Sequence, residues 1–415
     1  MTANTNIDRP TRWLSIVGIG EDGIEGLGEL ARGLIGSADH VFGGSRHLSL
    51  VAPLIHGTAR PWGSPFEQSV AEVLAHRGRP VCVLASGDPF QHGVGSVLAR
   101  HVPADETTAI PAVSAFSLAA SRLLWPLPQL TLLSLCGRPL DLIRPHLHSG
   151  ARILALTSGT EAPAAIAVLL CAAGFGQSRV TVLEALGGPR ERVRSARADG
   201  FVIDQINPLN TVAIDVVAGP DARVIPKVPG LADELFEHDG QITKREVRAL
   251  TLSALAPRQA EHLWDIGAGA GSVAIEWLLA DPSLTAVAIE RRSDRAARIR
   301  RNACAFGVPD LQIVEAAAPQ AFNTLTTPDA IFIGGGATTP GLIQTAQAAL
   351  RARGRLVVNA VTLETEALVL KAHTEHGGSL TRIEIHHTRP VGGEAGRFSS
   401  WRAGNPIVQW TWVKP

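Results

Sequence analysis

Trp264 to Glu276, WDIGAGAGSVAIE, is the stretch that most narrows what this chain can fold into. Leu263, Trp264 and Ile266 lead into three glycines at alternate positions, Gly267, Gly269 and Gly271, and Val273, Ala274, Ile275, Trp277 and Leu278 follow in a helical apolar pattern. That order predicts strand, tight turn and helix, the unit of an α/β fold. Glycine is needed where the turn uses backbone angles closed to residues with a Cβ, and where a ligand is to lie directly on the main chain. A dinucleotide fingerprint would carry its third glycine five residues after the first, and that position is Ser272, which weakens a pyrophosphate reading. Asp265 precedes the glycines instead, and about twenty residues beyond them the strand-like LTAVAIE ends in Glu290. An acid placed there can accept both ribose hydroxyls of an adenosine, with Asp265 where a ligand ammonium group would come. The bland alternative is a glycine turn with no ligand.

At 415 residues the chain exceeds one ordinary core, so two or three domains are expected. A content of 45 % hydrophobic and 18 % charged residues leaves no room for a long disordered segment. The 38 basic and 38 acidic residues balance, which argues against a generally basic nucleic-acid-binding surface. Cys82, Cys136, Cys171 and Cys304 form no CxxC pair and read as buried apolar residues or free thiols in a reducing compartment; no His and Cys cluster suggests a metal. MTANTNIDRPTRW has no signal-peptide core and no apolar run is long enough to span a bilayer, so a soluble cytoplasmic protein without membrane contact is expected. No internal repeat shows itself.

Near the N-terminus, Leu14 to Val17 is a short strand running into Gly18, Ile19, Gly20, Glu21, Asp22 and Gly23. A helical pattern from about Gly26 to Ser37 precedes a strand at His40 to Phe42 and the pair Gly43 and Gly44. Val81 to Ala85 is a buried-type strand that breaks into Ser86, Gly87, Asp88, Pro89 and Phe90, then Gly93 and Gly95. By itself GDP is a common turn. In order after it come IPAVSAFSLAASRLLWP, LLSLCGRPL, ILALTSGTEAPAAIAVLL and VTVLEALGGPRERV. This series, over about residues 12 to 218, resembles the tetrapyrrole methylases, in which two α/β halves clasp S-adenosylmethionine; the subgroup it is most similar to methylates a meso carbon in cobalamin synthesis. The resemblance implies cofactor binding by Gly87, Asp88, Pro89, Phe90, Ser114 and Ala115. The chain departs from the family at Gly20-Glu21-Asp22-Gly23, where Gly-Pro-Gly is usual, and at Cys136, where a histidine is more usual.

The prolines, glycines and charges of Ala218 to Gly240 mark a linker. The expected organisation is a methylase module over 1–218, with halves of about 1–125 and 126–218, a linker over 219–232, and a second module over 233–415. QITKREVRALTLSAL begins a helix, and Thr243 and Glu246 have the spacing of a capping box. After Glu290 a helix carries Arg291, Arg292, Arg295, Arg298, Arg300 and Arg301, read as a solvated face, a nucleic-acid contact or partners for carboxylates. LQIVEAAAPQAF is strand then loop, AIFIGGG and RLVVNAVTLET (Arg355 to Thr365) are strands, and AGNPIVQW closes the pattern.

Asp265, Gly267, Gly269, Gly271 and Glu290 resemble the first two motifs of the Rossmann-like methyltransferases that bind S-adenosylmethionine, and about residues 233 to 412 resemble the corrin-pathway module of that fold. That resemblance gives Thr243 a second reading, on a segment that closes over the cofactor. It also places Ala317 at an adenine contact, in AAAP where Gly-Asp-Ala-Pro is usual. The fold class expected is therefore α/β throughout, a two-part tetrapyrrole methylase fold followed by a Rossmann-like S-adenosylmethionine-dependent methyltransferase fold. Together the resemblances imply two S-adenosylmethionine sites and a polycarboxylate tetrapyrrole substrate. They also imply methylation of two bridge carbons, carbon 5 by the first module and carbon 15 by the second, with carbon dioxide lost from the carbon-12 acetate. No nucleic acid is expected as partner, and a homo-oligomer is; no residue stands out as catalytic. The rival readings are an RNA or other small-molecule methyltransferase using the arginine helix, a nicotinamide oxidoreductase, and a silent tetrapyrrole carrier.

Overall fold

Near-continuous apolar runs such as VCVLA, TAVAI and RLVVNA are the mark of strands covered on both faces in parallel sheets. The structure is a computed structural model that describes residues 12–391 and 398–415, and it sets these runs in parallel. The chain divides into two compact units, one comprising the chain to Arg138 with His146–Arg223, the other Pro139–Pro145 with Val224–Pro415.

In the first unit β1 (Leu14–Ile19), β2 (His40–Gly43), β3 (Thr58–Pro61), β4 (Val81–Ser86) and β5 (Thr107–Ile110) form a parallel sheet in the order β3-β2-β4-β1-β5. Side chains alternate across it: Leu14, Ile16, Val81 and Val83 enter one core, Val17, Ile19, Cys82 and Leu84 the other. A second sheet follows from β6 (Thr131–Ser134), β7 (Arg152–Ser158), β8 (Arg179–Glu184), β9 (Arg192–Arg197) and β10 (Leu209–Asp215), ordered β6-β7-β10-β8-β9. Here β6 pairs with β7 in parallel and the other pairs are antiparallel.

The second unit is built on β11 (His262–Ile266), β12 (Thr285–Ile289), β13 (Gln312–Val314), β14 (Ala330–Ile333), β15 (Arg355–Ala360) and β16 (Ser379–Ile383). A separate hairpin pairs β17 (His386–Val391) with β18 (Phe398–Ala403), and β19 (Ile407–Val413) returns to the main sheet. The main order is β13-β12-β11-β14-β15-β19-β16, parallel as far as β15 and antiparallel on both sides of β19. Its two faces are unequal. Ala286, Ala288, Ala330 and Phe332 face the helices at Arg245–Leu255, Ser272–Ala280 and Ser293–Ala305, whereas Val287, Ile289, Ile331 and Ile333 face the core around Trp264 and Trp410. Small side chains on the first face let those helices pack close to the strands. No helix among the described residues is long and apolar enough to cross a membrane.

Two local expectations are corrected. The segment read as one strand to Thr365 stops at Ala360, and Leu363–His376 is a helix whose N-cap, Thr362, accepts a hydrogen bond from the Thr365 amide at 3.3 Å. The cap stops the strand because its hydroxyl satisfies a free amide of a new helix. The expected capping box does not form either: the helix at Arg245–Leu255 has Lys244 as its N-cap and no side-chain cap bond, one residue out of register with Thr243 and Glu246.

What holds that helix start is Arg248, 0 % exposed. Its Nε donates to Glu276 Oε1 at 2.5 Å, Nη1 to Asp233 Oδ1 at 3.1 Å and to the Thr243 carbonyl, and Nη2 to the Leu231 carbonyl. Glu276 also accepts from the amides of Gly230 at 2.6 Å and Leu231 at 2.9 Å, which ties the incoming chain to the helix after the glycine loop. Removing one member of such a buried pair leaves the other uncompensated. Glu276→Ala is expected to destabilise the second unit by about 3–5 kcal/mol. Urea unfolding with hydrogen exchange at Gly230 and Leu231 would check it, and unchanged protection there would contradict the account.

Candidate cofactor-binding sites

In the first unit a cavity of about 530 Å³ lies between the two sheets, at the carboxyl ends of the parallel strands where open α/β sheets take their ligands. Gly20 and Glu21 reach it from the end of β1, Arg46 and His47 from the helix after β2, and Ser86, Gly87 and Asp88 from the end of β4. Thr157, Leu183 and Asn210 close it from the second sheet. At the Gly87 turn main chain packs against main chain: a Cβ on Gly18 would stand 2.0 Å from the Gly87 carbonyl oxygen, and the Ala112 amide donates to that oxygen at 3.1 Å. Of the residues expected here, Gly87, Asp88, Ser114 and Ala115 line the cavity. Asp88 Oδ1 accepts from the Phe90 amide at 2.8 Å and shapes the loop, while Ser114 Oγ caps the helix Ala115–Leu123 by accepting from the Ser117 amide at 3.1 Å. Pro89 and Phe90 are not among the lining residues; the Pro89 carbonyl packs under Gly93 and Gly95, and Phe90 is 48 % exposed.

In the second unit the turn after β11 makes a tighter cradle. Gly267, at φ +69°, comes so near the opposite loop that a Cβ would be 2.8 Å from the Gly335 carbonyl oxygen, and Gly269, at φ +59°, would carry one 3.3 Å from the Gln241 carbonyl oxygen. Gly271 is the N-cap of the helix Ser272–Ala280. Glu290, just past β12, accepts from the Gly269 amide at 3.0 Å through Oε2 and from the Arg292 amide at 3.0 Å through Oε1. Each oxygen keeps lone pairs for a ligand hydroxyl. Asp265, 1 % exposed, accepts from the Ala274 amide at 3.1 Å through Oδ2, and its Oδ1 has no partner. Burial pushes its carboxyl up to about 7, against the pull of the Ala274 amide and with a further push from Glu290. An orphaned buried carboxylate oxygen beside a glycine cradle fits a ligand that brings a cationic or hydrogen-bonding group. Ala317 is exposed on the loop after β13. Thr243 is half-buried and its carbonyl is engaged by Arg248.

Sequence reading passed over the residues that brace these loops. Asn302 donates to the Ala270 carbonyl at 2.9 Å and to the Glu237 carbonyl at 2.9 Å, and accepts from the Glu237 amide at 2.9 Å, joining the arginine helix to the glycine loop and to the segment that leads to Thr243. Four of the six arginines take the carboxylate reading: Arg295 and Arg298 lie 3.0 and 3.1 Å from Asp239, Arg301 2.6 Å from Glu237, and Arg292 2.8 Å from Asp294. In the first unit, Arg46 and His47 were signalled by the second strand-glycine turn, at Gly43 and Gly44, which carries no motif of its own.

Two α/β units, each with a glycine turn at the carboxyl edge of a parallel sheet, are the architecture of a double-module methyltransferase. Residues 14–200 match the family described as tetrapyrrole (corrin/porphyrin) methylases, and residues 234–414 match the precorrin methyltransferase domain. Over 402 residues, 97 % of this chain and 96 % of the relative, the sequence is 56 % identical to a Sinorhizobium protein named precorrin-6Y C(5,15)-methyltransferase (decarboxylating). A Mycobacterium tuberculosis protein of the same name is 40 % identical over 404 residues, 96 % of this chain and 99 % of that one. A Salmonella typhimurium protein named cobalt-precorrin-6B C(15)-methyltransferase (decarboxylating) is 36 % identical over 184 residues, 43 % of this chain and 92 % of its own length. The chain belongs to the precorrin-6Y C(5,15)-methyltransferase (decarboxylating) family.

The raised carboxyl of Asp265 has a measurable consequence. Its folded-state pKa lies above the unfolded value, so its contribution to stability is complete below about pH 4 and is lost as pH rises through about 7. Without ligand, Asp265→Asn is expected to be more stable than the parent at pH 8, by on the order of 1–3 kcal/mol, with the gap closing at pH 5. Urea midpoints at the two pH values check the sign; a variant less stable at pH 8 would mean that the ionised carboxylate is satisfied in the fold.

Proposed function

We propose that this protein methylates precorrin-6Y at carbons 5 and 15 and removes the carbon-12 acetate carboxyl as carbon dioxide, using two S-adenosylmethionine sites, one in each unit. One observation carries the reading: a chain alignable over 97 % of its length with the Sinorhizobium relative has, in each of its two units, a glycine turn opening on the carboxyl ends of a parallel sheet.

S-adenosylmethionine supplies a methyl group already activated by sulfonium, so the protein's contribution is chiefly to hold the reacting carbon in line; well-oriented reactants can gain up to roughly 7–11 kcal/mol. In the second unit Glu290 would hold the ribose hydroxyls through lone pairs left over from its bonds to Gly269 and Arg292. Asp265 would meet the cationic end of the ligand, which would draw its carboxyl back to the ionised form. In the first unit the main chain of Gly87 and Asp88 and the helix start at Ser114 and Ala115 would border the ligand. The first unit takes carbon 5; the second takes carbon 15 and the decarboxylation, in line with the name of the shorter Salmonella relative. Electrons freed by loss of carbon dioxide have an acceptor in a protonated pyrroline of the macrocycle itself, and the protein has to hold the acetate and keep water away.

Mass spectrometry with precorrin-6Y and carbon-13-methyl S-adenosylmethionine should find two added methyls and one lost carbon dioxide; a product lacking either change would refute the reading. Asp88→Arg, which brings bulk and like charge to the first cavity, should give a decarboxylated product with one new methyl, at carbon 15. Gly269→Val, which puts a branched side chain 3.3 Å or less from the Gln241 carbonyl and into a left-handed backbone position, should lose the carbon-15 methyl. Glu290→Ala should weaken cofactor binding in the second unit by about 1.5–3 kcal/mol for each ribose bond lost. Because Glu290 also ties Gly269 to the end of β12, Glu290→Gln should lose less. Calorimetry with S-adenosylmethionine decides, and equal affinity for all three proteins would sink the ribose role.

A further inference from the structure

Methylation at carbon leaves a proton to be placed. In the carbon-5 reaction assigned above, on which this inference rests, the acceptor is a bridge carbon bonded to two rings and therefore carrying one hydrogen. Its π pair forms the new C–CH3 bond, the S–CH3 pair stays on sulfur as a neutral thioether, and the macrocycle is left with one positive charge. Loss of the hydrogen on the methylated carbon as H⁺ returns the C–H pair to the conjugated system and cancels that charge. A group in the cavity of the first unit has to accept the proton.

The titratable side chains lining that cavity differ in what they are free to do. Glu21 is ion-paired with Arg46 and lies 3.7 Å from Arg190, and Asp88 Oδ1 is engaged by the Phe90 amide. Burial pushes the Cys136 thiol up, away from a thiolate. His92 and His47 remain, and His47 is built into a hydrogen-bonded path. Its Nε2 lies 2.8 Å from Ser86 Oγ and 2.7 Å from Arg46 Nη2, which also donates to Ser86 Oγ at 3.0 Å. A guanidinium only donates, so its approach makes Nε2 the lone-pair nitrogen of a neutral ring with its hydrogen on Nδ1. Ser86 Oγ, already receiving from Arg46, has its own hydrogen to aim at the same Nε2 lone pair, which it shares with the Arg46 Nη2 donor. Burial, and then Arg46, pull the imidazole down to about 4, so the ring is neutral near pH 7. Ser86 ends β4 and directly precedes Gly87, which puts its hydroxyl beside the loop assigned to the methyl donor.

We propose that Ser86 and His47 form a proton relay for carbon-5 methylation: Ser86 Oγ takes the hydrogen of the methylated bridge carbon as H⁺ while its own hydroxyl hydrogen passes to His47 Nε2. Arg46, anchored by Glu21, is a positioning residue that holds the pair in register.

The test uses the full-length chain, S-adenosylmethionine, and precorrin-6Y bearing either hydrogen or deuterium at carbon 5, with His47→Ala, Ser86→Ala and His92→Ala variants. Calorimetry of S-adenosylmethionine binding shows that each variant is folded and loaded, and carbon-13 NMR of the product made with carbon-13-methyl S-adenosylmethionine scores each methylation separately by the position of its labelled carbon. His47→Ala should keep cofactor binding and the carbon-15 methyl and lose carbon-5 methylation by about 100- to 10,000-fold. Proton removal then limits the rate, so the deuterium isotope effect at carbon 5 should exceed that of the parent, and added imidazole should restore turnover in proportion to its free base. Ser86→Ala should show the same enlarged isotope effect. A His47 variant with parental carbon-5 turnover, or with a loss that neither raises the isotope effect nor responds to imidazole, overturns the relay, as does transfer of both signatures to His92→Ala. A parent protein that never methylates carbon 5 overturns the functional reading along with it, a result separable from failure of the relay alone.

Discussion

The hydrogen bond from the Gly269 amide to Glu290, 3.0 Å long, joins the turn after β11 to the end of β12, and the second site depends on that junction. A turn leaving the carboxyl edge of a parallel sheet exposes amides that the neighbouring strands satisfy only in part. Here the Gly267 amide goes to the Ile289 carbonyl at 2.9 Å, the Gly269 amide to Glu290, and the Ala274 amide to Asp265 at 3.1 Å. The turn is thus fixed by the same two acids that are proposed to face a ligand. Asn302 extends the brace to a third element, and the Arg248–Glu276 pair fixes the chain entering the unit. Position is the main thing a methyl transfer asks of a protein, and these bonds supply it without a loop of large side chains.

The first unit reaches a similar end by other means. The acids that line its cavity, Glu21 and Asp88, are held by Arg46 and by the Phe90 amide; main chain lies on main chain at Gly18, Gly87 and Ala112, and the second sheet closes the space. The polar groups of that cavity gather instead around Arg46, where Glu21, His47 and Ser86 meet. The two units therefore differ in chemistry as well as topology. One sets two buried carboxylates around its glycine turn, and the other gathers an imidazole and a hydroxyl around an arginine.

The arginine helix shows how charge read along a sequence can mislead. Its arginines, four of which have carboxylates within 3.1 Å, point as much at their own chain as at any polyanion. Arg295, Arg298 and Arg301 meet Asp239 and Glu237, on a segment more than fifty residues earlier that passes beside the glycine loop. Charge-assisted pairs of this kind set the position of a segment more than they stabilise it, since several are solvent-exposed and screened.

By itself the sequence determined the strand-turn-helix around Gly267 and the α/β character of both units, and it singled out Asp265 and Glu290 in one unit and Gly87 and Asp88 in the other as the residues proposed to border a ligand. Those features are local: apolar runs fix strands, and a chain can pass through φ +69° at Gly267 only cheaply with glycine. Tertiary structure decided what depends on partners far along the chain. Thr243 lost its cap because Arg248 draws its carbonyl toward the cluster around Glu276, 28 residues beyond Arg248. The helix at Leu363–His376 emerged from an apparent strand because one threonine hydroxyl could satisfy an amide three residues on. His47 and Ser86, 39 residues apart, became a pair only when β2 and β4 were laid side by side in parallel, since strands that are neighbours in a sheet bring their turns together whatever the length of chain between them.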